Sequence, residues 1–303
     1  MLTAEVLALV AAFSLGAGTV VMKHGLRSAS RELFVFVSLG VQAVLFSTLA
    51  IITGLTFLGL WIAAAAFVAS GLLGSILARY ASAFAVDRVG VALAFPIRST
   101  APLFSAIVAV LILGETVTPL LAGGTAIVVA GVAILSHQAY SDDRATTANT
   151  TSATNLVGRR RLLSLAPALV SAILFGITPT LRKFGLEAGV SVTDGLALTF
   201  VAAFLVYGPY FLTTRRDELA SSGARRDVRW FVVTGLLWSA ALGTYFLALS
   251  LADTVVVVPL FYTSPLFAIG LSYVFLRDLE VVSAGVLVGA ACVTLGTAIV
   301  VIG

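Results

Sequence analysis

Arg98 stands inside an apolar run, about ten residues beyond Arg88. At 1.5 Å of rise per residue that is roughly 15 Å of helix, near the middle of a ~30 Å hydrocarbon core. Snorkelling does not cover that depth, so the guanidinium must face a protein interior or a watery cavity. Such a group suits a carboxylate or phosphate, gripped through two parallel hydrogen bonds. The bland alternative is an arginine satisfied by backbone carbonyls at helix kinks or by a neighbouring tyrosine. Ser99 adjoins it, and Pro102 and Ser105 follow at i+4 and i+7 from Arg98, on one helix face. Pro96 and Pro102 loosen the helix and free carbonyls nearby. Other chemistry is scarce. The chain holds no GxxxxGK[ST] phosphate loop and no HExxH zinc motif, and its two histidines, His24 and His137, are far apart. No catalytic constellation, cofactor motif or metal set is expected, and Glu115, Asp253 and Asp278 read as capping or interfacial acids.

The elements that hold these residues follow from composition. Of 303 residues, 60% are apolar and only 11% charged, and the mean hydropathy is +1.10. A water-facing domain carries roughly 25% charged residues, so a soluble domain, a disordered chain and a coiled coil are excluded and lipid is the main solvent. Ten apolar segments are expected as membrane helices near 3–22, 32–53, 61–86, 90–113, 119–136, 164–181, 195–213, 230–250, 254–276 and 281–302. Nothing alternates as barrel strands do, and open strands leave backbone groups unpaired in hydrocarbon. The first run lacks a basic n-region and carries Glu5, which reads as a retained helix. Residues 138–163 read as a polar linker between a unit at 1–137 and a unit at 164–303. The single Cys292 has no cysteine to pair with.

The two units repeat each other. AFSLGAGTVVMKHGL (12–26) lies on AILFGITPTLRKFGL (172–186), which pairs Gly16 with Gly176, Lys23 with Lys183 and Gly25 with Gly185. FPIRSTAPLF (95–104) lies on VPLFYTSPLF (258–267), which pairs Pro96 with Pro259, Pro102 with Pro265 and Phe104 with Phe267. Gly124 and Gly131 pair with Gly289 and Gly296. Five spans per copy is an odd number, so the second copy enters the membrane from the opposite side. Inverted repeats of this kind give secondary transporters two half-packings of nearly equal energy. The fold expected is thus an all-α membrane protein of ten transmembrane helices in two inverted five-helix repeats. Phe261 and Tyr262 then lie opposite Arg98 and Ser99, where they contact an amphipathic substrate through stacking and cation–π contacts or pack a helix interface. Lys23 and Lys183 fall at opposite faces, as gating or substrate-admission residues or as interfacial snorkelling cations. Arg79 reads as a snorkelling cation near the end of the third span. Gly285 and Gly289 form a close-packing pair, within the chain or between two copies, so monomer and homodimer both stay open.

The Gly…Lys…Gly-Leu ending of each first helix and the proline-rich fourth helix resemble the drug/metabolite transporter superfamily, and within it the EamA-domain transporters. Leu113-Gly114-Glu115 resembles the Leu-Gly-Glu that closes the fourth helix of many EamA repeats, whereas the second copy reads Leu276-Arg277-Asp278. The resemblance implies that spans 1, 3, 4, 6, 8 and 9 line a central cavity, with spans 5 and 10 to one side. The small multidrug relatives depend on a membrane Glu in the first span, and this chain has no mid-span acid there.

Orientation draws two answers. Most of the 18 Lys and Arg follow spans 1, 3, 5, 7 and 9: Lys23, Arg27, Arg31, Arg79, Arg88, Arg144, Arg159 to Arg161, Arg215, Arg216, Arg225, Arg226, Arg229 and Arg277. The positive-inside rule makes that face cytoplasmic and both termini external; relatives are drawn with cytoplasmic termini. The expected function is a secondary active or facilitative carrier, with export the expected direction, of a small metabolite such as an amino acid or organic anion. Its partners are that solute and membrane lipid, with no nucleic acid, and its place is the cell membrane. The alternative is a membrane-embedded lipid-processing protein or a flippase for a lipid-linked anion.

Overall fold

The computed structural model describes residues 2–26, 30–89, 94, 97–146, 159–215, 217–220, 222–275 and 284–302, and within these it places no strand. The helices are α1 (Leu2–Gly25), α2 (Arg31–Thr53), α3 (Trp61–Ser70), α4 (Ala78–Val89), α5 (Ala101–Leu113), α6 (Pro119–Thr146), α7 (Arg159–Glu187), α8 (Val192–Thr214), α9 (Asp217–Ala220), α10 (Ser222–Leu251), α11 (Thr254–Phe261), α12 (Ser264–Phe275) and α13 (Ala284–Ile302). A π-helical stretch, Gly71–Leu77, joins α3 to α4. Among the described residues seven helical stretches are long and apolar enough to cross a membrane: Thr3–Met22, Arg31–Thr53, Trp61–Ala85, Leu165–Glu187, Val192–Thr214, Val228–Leu251 and Thr254–Leu271. Shorter apolar helices, Ala101–Leu113, Pro119–Leu135 and Val288–Ile302, fall within the fourth, fifth and tenth segments of the sequence.

Local chemistry sets the ends. Ser30 and Ser191 are the N-caps of α2 and α8, and their hydroxyls accept the amides of Leu33 and Asp194, which supplies partners to donors the first helical turn leaves open. Gly114 closes α5 at φ 69, a left-handed cap that a side chain disfavours. Helix also continues where a linker was expected: α6 runs to Thr146 and α7 begins at Arg159, while 147–158 lie outside the described residues.

The two halves exchange equivalent contacts. Helix α1 packs on α10 and α12; α7, its counterpart, packs on α3–α4 and α5. Helix α2 packs on α8 and α6 on α13. The glycines show how literal this exchange is. A Cβ added at Gly16 would meet Ser264, Phe267 and Ala268; one at Gly176 would meet Ala101, Phe104 and Ser105, the repeat partners of those three residues. Gly25 abuts Phe231 as Gly185 abuts Phe67. Gly124 and Gly131 take Val300 and Val293, and Gly289 and Gly296 take Leu135 and Val128 in return. Absence of a side chain at these crossings brings backbones together, the packing that substitutes for the hydrophobic effect in lipid. Gly289 therefore serves a contact within this chain.

The fourth and ninth spans, expected as continuous helices, are each broken by a turn. Thr100 N–H donates to Ile97 O at 3.1 Å and Thr263 N–H to Leu260 O at 3.2 Å. The hydroxyls of Thr100 and Thr263 donate to the same carbonyls, at 2.6 and 2.7 Å. Pro102 and Pro265 sit just inside the helices that follow, where a missing N–H is harmless. Local threonine bonds and a proline thus replace the continuous ladder at matched points of the two repeats.

Candidate substrate cavity

The two breaks expose the residues beside them. Arg98 and Ser99 precede one turn, Phe261 and Tyr262 the other, and all four line a cavity of about 550 Å³ between the halves. Discontinuous helices place backbone and side chains at a mid-membrane site in this way in other transporters. The wall draws on α1, α2, the π stretch, α4, α6, α7, α8, α10, α11 and α12.

Three guanidinium groups enter this wall. Arg98 lies over the Phe175 ring at 5.2 Å, Arg79 over Trp238 at 5.7 Å and Arg182 over Phe246 at 5.0 Å. Cation–π contact of this kind holds an arginine by its face. Arg182 also donates to the Ser70 hydroxyl at 3.4 Å and is bonded to Tyr245. Tyr245 in turn stacks on Phe261, ring centroids 4.2 Å apart. Arg79 lies within electrostatic reach of both Arg98 and Arg182. Among the described residues no Asp or Glu lines the cavity; the other polar groups are hydroxyls, among them Thr19, Ser75 and Thr178.

One end of the interior is sealed. Glu115, at the end of the fourth span, accepts the amides of Thr254 and Val255 at 2.8 and 2.9 Å, one on each carboxylate oxygen. The carboxylate thereby occupies the positive end of α11. Lys183 is 6% exposed. Its ammonium donates to Ala252 O at 3.0 Å and pairs with Glu187 at 3.4 Å. The Glu115 bonds and the Lys183–Ala252 bond fasten the corner between α10 and α11, on the face that also carries residues 54–60, while the Glu187 pair lies within α7. The cavity lies toward the other face, beside Met22, Phe34, Val35, Val132, Leu135 and Ile269.

The sequence expectations divide accordingly. Arg98, Ser99, Phe261 and Tyr262 come together in the cavity. Pro102 is buried but does not line it, because the turn at Ser99 and Thr100 breaks the i+4 relation to Arg98. Lys183 belongs to the seal; the side chain of Lys23, and all of Pro96, lie outside the described residues. Arg79 is corrected: the third span continues to Val89, so this residue stands well inside the helix and lines the cavity instead of reaching for the interface. Arg182, Trp238 and Tyr245 were also missed. A usable signal existed for two of these. Arg182 runs against the positive-inside bias, and GLLGSIL (71–77) repeats as GLLWSAA (235–241), which marks Trp238 as the counterpart of Gly74 in the π stretch. Among the described residues no group of three or more His, Cys, Asp or Glu could hold a metal ion.

Comparison with known proteins agrees with this architecture. No curated protein matches the sequence. A crystal structure of another protein superposes with a TM-score of 0.74 over 98% of this chain and 95% of the other, at 13% identity, a likeness of fold alone. The profile of the EamA-like transporter family matches residues 2–137 and again 162–302. The chain is a multi-pass integral membrane protein and belongs to the EamA-like transporter family, whose members move small molecules across membranes.

Proposed function

We propose that the chain is a secondary active or facilitative carrier of a small organic anion. It works by alternating access between two inverted five-span repeats, ten spans in all. The observation that carries this reading is the convergence of Arg79, Arg98 and Arg182 on one cavity whose described wall includes no acid. Like charges gathered in a space poor in water repel one another, and a solute carboxylate or phosphate offsets that repulsion. Arg98, Ser99, Phe261 and Tyr262 act as substrate contacts at the paired helix breaks. The reciprocal packing of the halves supports the inverted arrangement, because exchanging their conformations moves the opening to the other face. Lys183 serves as part of the gate, and the repeat assigns Lys23 the matching place on the opposite face.

Uptake and counterflow in proteoliposomes, across a panel of organic anions, test this. Arg98→Ala is expected to lower anion uptake by about tenfold or more, the worth of one charge-assisted contact. Arg98→Lys restores part of it, as a point charge without the planar fork. Equal transport of every anion by Arg98→Ala and wild type contradicts the reading.

A further inference from the structure

The second spans of the two halves are tied together at both faces at once. Helix α2 begins at the Ser30 cap and ends at Thr53; α8 runs beside it in the opposite sense, from the Ser191 cap to Thr214. Beyond Thr53, the amide and hydroxyl of Thr56 donate to Asp194 Oδ2 at 2.5 and 2.7 Å, and the hydroxyl accepts the Ser191 amide at 2.8 Å. The Thr53 and Thr193 hydroxyls bond at 3.0 Å. Beyond Thr214 the arrangement recurs the other way round: Glu218, ion-paired with Arg215, accepts the Ser30 hydroxyl. Each half thus lays the segment that follows its second span on the helix cap of the other half's second span. Between these two latches the seam is aromatic. Phe36 stacks on Phe211 with ring centroids 4.5 Å apart and Phe46 on Phe200 at 5.6 Å, and the Tyr207 hydroxyl donates to Glu32 O at 3.4 Å.

These latches do not behave as a gate. The face that carries residues 54–60 is sealed and the cavity lies toward the other face, yet a latch is closed at each. Were the seam to part at whichever face the cavity approaches, the Ser30–Glu218 contact would be the one undone. Exchange of conformations between inverted halves carries the same rule to the opposite face, so the Thr56 latch stays made when the cavity turns toward residues 54–60. Phe34 and Val35 of α2 and Phe200 of α8 line the cavity, which makes the seam one of its walls. Packed interfaces have discrete arrangements and do not stretch, and this one is bonded at both ends. We infer that α2 and α8 form a fixed axis on which the halves rock, an inference that rests on the alternating-access reading above. A face then opens elsewhere, at joints such as the α10–α11 corner held by Glu115 and Lys183.

Locking the latch on the sealed face tests this, because a moving gate has to break it. Thr53→Cys and Thr193→Cys are combined with Ser99→Cys, a reporter on the cavity wall, in the Cys292→Ala background. Hydroxyls 3.0 Å apart bring the two Cβ atoms within reach of the ~3.5–4.5 Å that a disulfide spans. The full-length protein is reconstituted and oxidised, and loss of both latch thiols confirms the bond. Uptake across the panel of organic anions is expected to be equal in the oxidised and reduced forms. Membrane-impermeant maleimide is expected to modify Ser99→Cys from both faces in both forms. Loss of uptake on oxidation, or loss of labelling from the face of residues 54–60, restored by reductant, overturns the inference. Failure of the two latch thiols to pair in folded protein overturns it as well. Thr56→Cys with Ser191→Cys closes the same latch, with the same outcomes, should the first pair not fold. Labelling from both faces before and after oxidation in protein that takes up no anion upholds the fixed axis and sinks the carrier reading instead. Labelling from one face alone in the reduced protein sinks both.

Discussion

Replacing Glu115 by Gln should open the sealed face. Glu115 is 9% exposed, and its two oxygens accept the amides of Thr254 and Val255 at 2.8 and 2.9 Å. Hydrogen bonds to a charged group contribute about 1.5–3 kcal/mol each. Attraction between a carboxylate and a helix N-terminus adds about 0.3–1 kcal/mol. Glutamine keeps one acceptor, turns an amino group toward the other amide and removes the charge. The net loss is about 3 kcal/mol, and it falls on the conformation in which this corner is closed. At about 1.4 kcal/mol per factor of ten, that is roughly a hundredfold shift toward conformations open on this side. The assay is labelling of Ser70→Cys in a Cys292→Ala background, with a membrane-impermeant maleimide applied from the face that carries residues 54–60. Ser70 is fully buried next to Arg182 in the closed arrangement. Labelling should accelerate by up to that factor in Glu115→Gln, and by less in Glu115→Asp. An unchanged rate in Glu115→Gln, in protein that stays monodisperse, refutes the claim that this carboxylate holds the seal.

Gly176→Leu should destabilise the protein, because even a Cβ there lies 2.6 Å from the Phe104 Cβ and 2.9 Å from the Ala101 carbonyl oxygen. Overpacking of this kind costs about 1–3 kcal/mol; thermal unfolding in detergent with wild-type Tm retained contradicts the crossing described. Cysteines placed in 137–161 should stay unlabelled by an impermeant reagent outside intact cells, as the basic loops require. Labelling from outside would favour cytoplasmic termini instead.

Much of the scaffold was legible because its determinants are local. Pro96 and Pro102 pointed to a loosened fourth span, and their repeat partners Pro259 and Pro265, with the matched glycines, marked equivalent positions of the two halves, although both spans were expected to stay continuous. Arg98 was legible through depth alone, since a charge that far from both interfaces has few places to go. Arg79 was not. Its position counts as interfacial if the third span ends near residue 86, and only tertiary packing shows the helix continuing to Val89 with this side chain turned onto Trp238. Pro102 failed for the opposite reason: helical periodicity was carried across Ser99 and Thr100, where the structure turns. Lys183, read as a gating residue or a snorkelling cation, and Glu115, read as a capping or interfacial acid, find their partners in the carbonyl and amides of a corner distant in sequence, which no side-chain pattern encodes.

The central claim is that one arginine-lined cavity is reached alternately from the two faces. Ser99→Cys, in the Cys292→Ala background, puts a single thiol on the cavity wall beside Arg98. Membrane-impermeant maleimide applied separately to right-side-out and inside-out vesicles should modify it from both sides, and succinate or glycerol 3-phosphate should protect it in both. Modification from one side only, or an equal rate with and without those anions, would contradict the account.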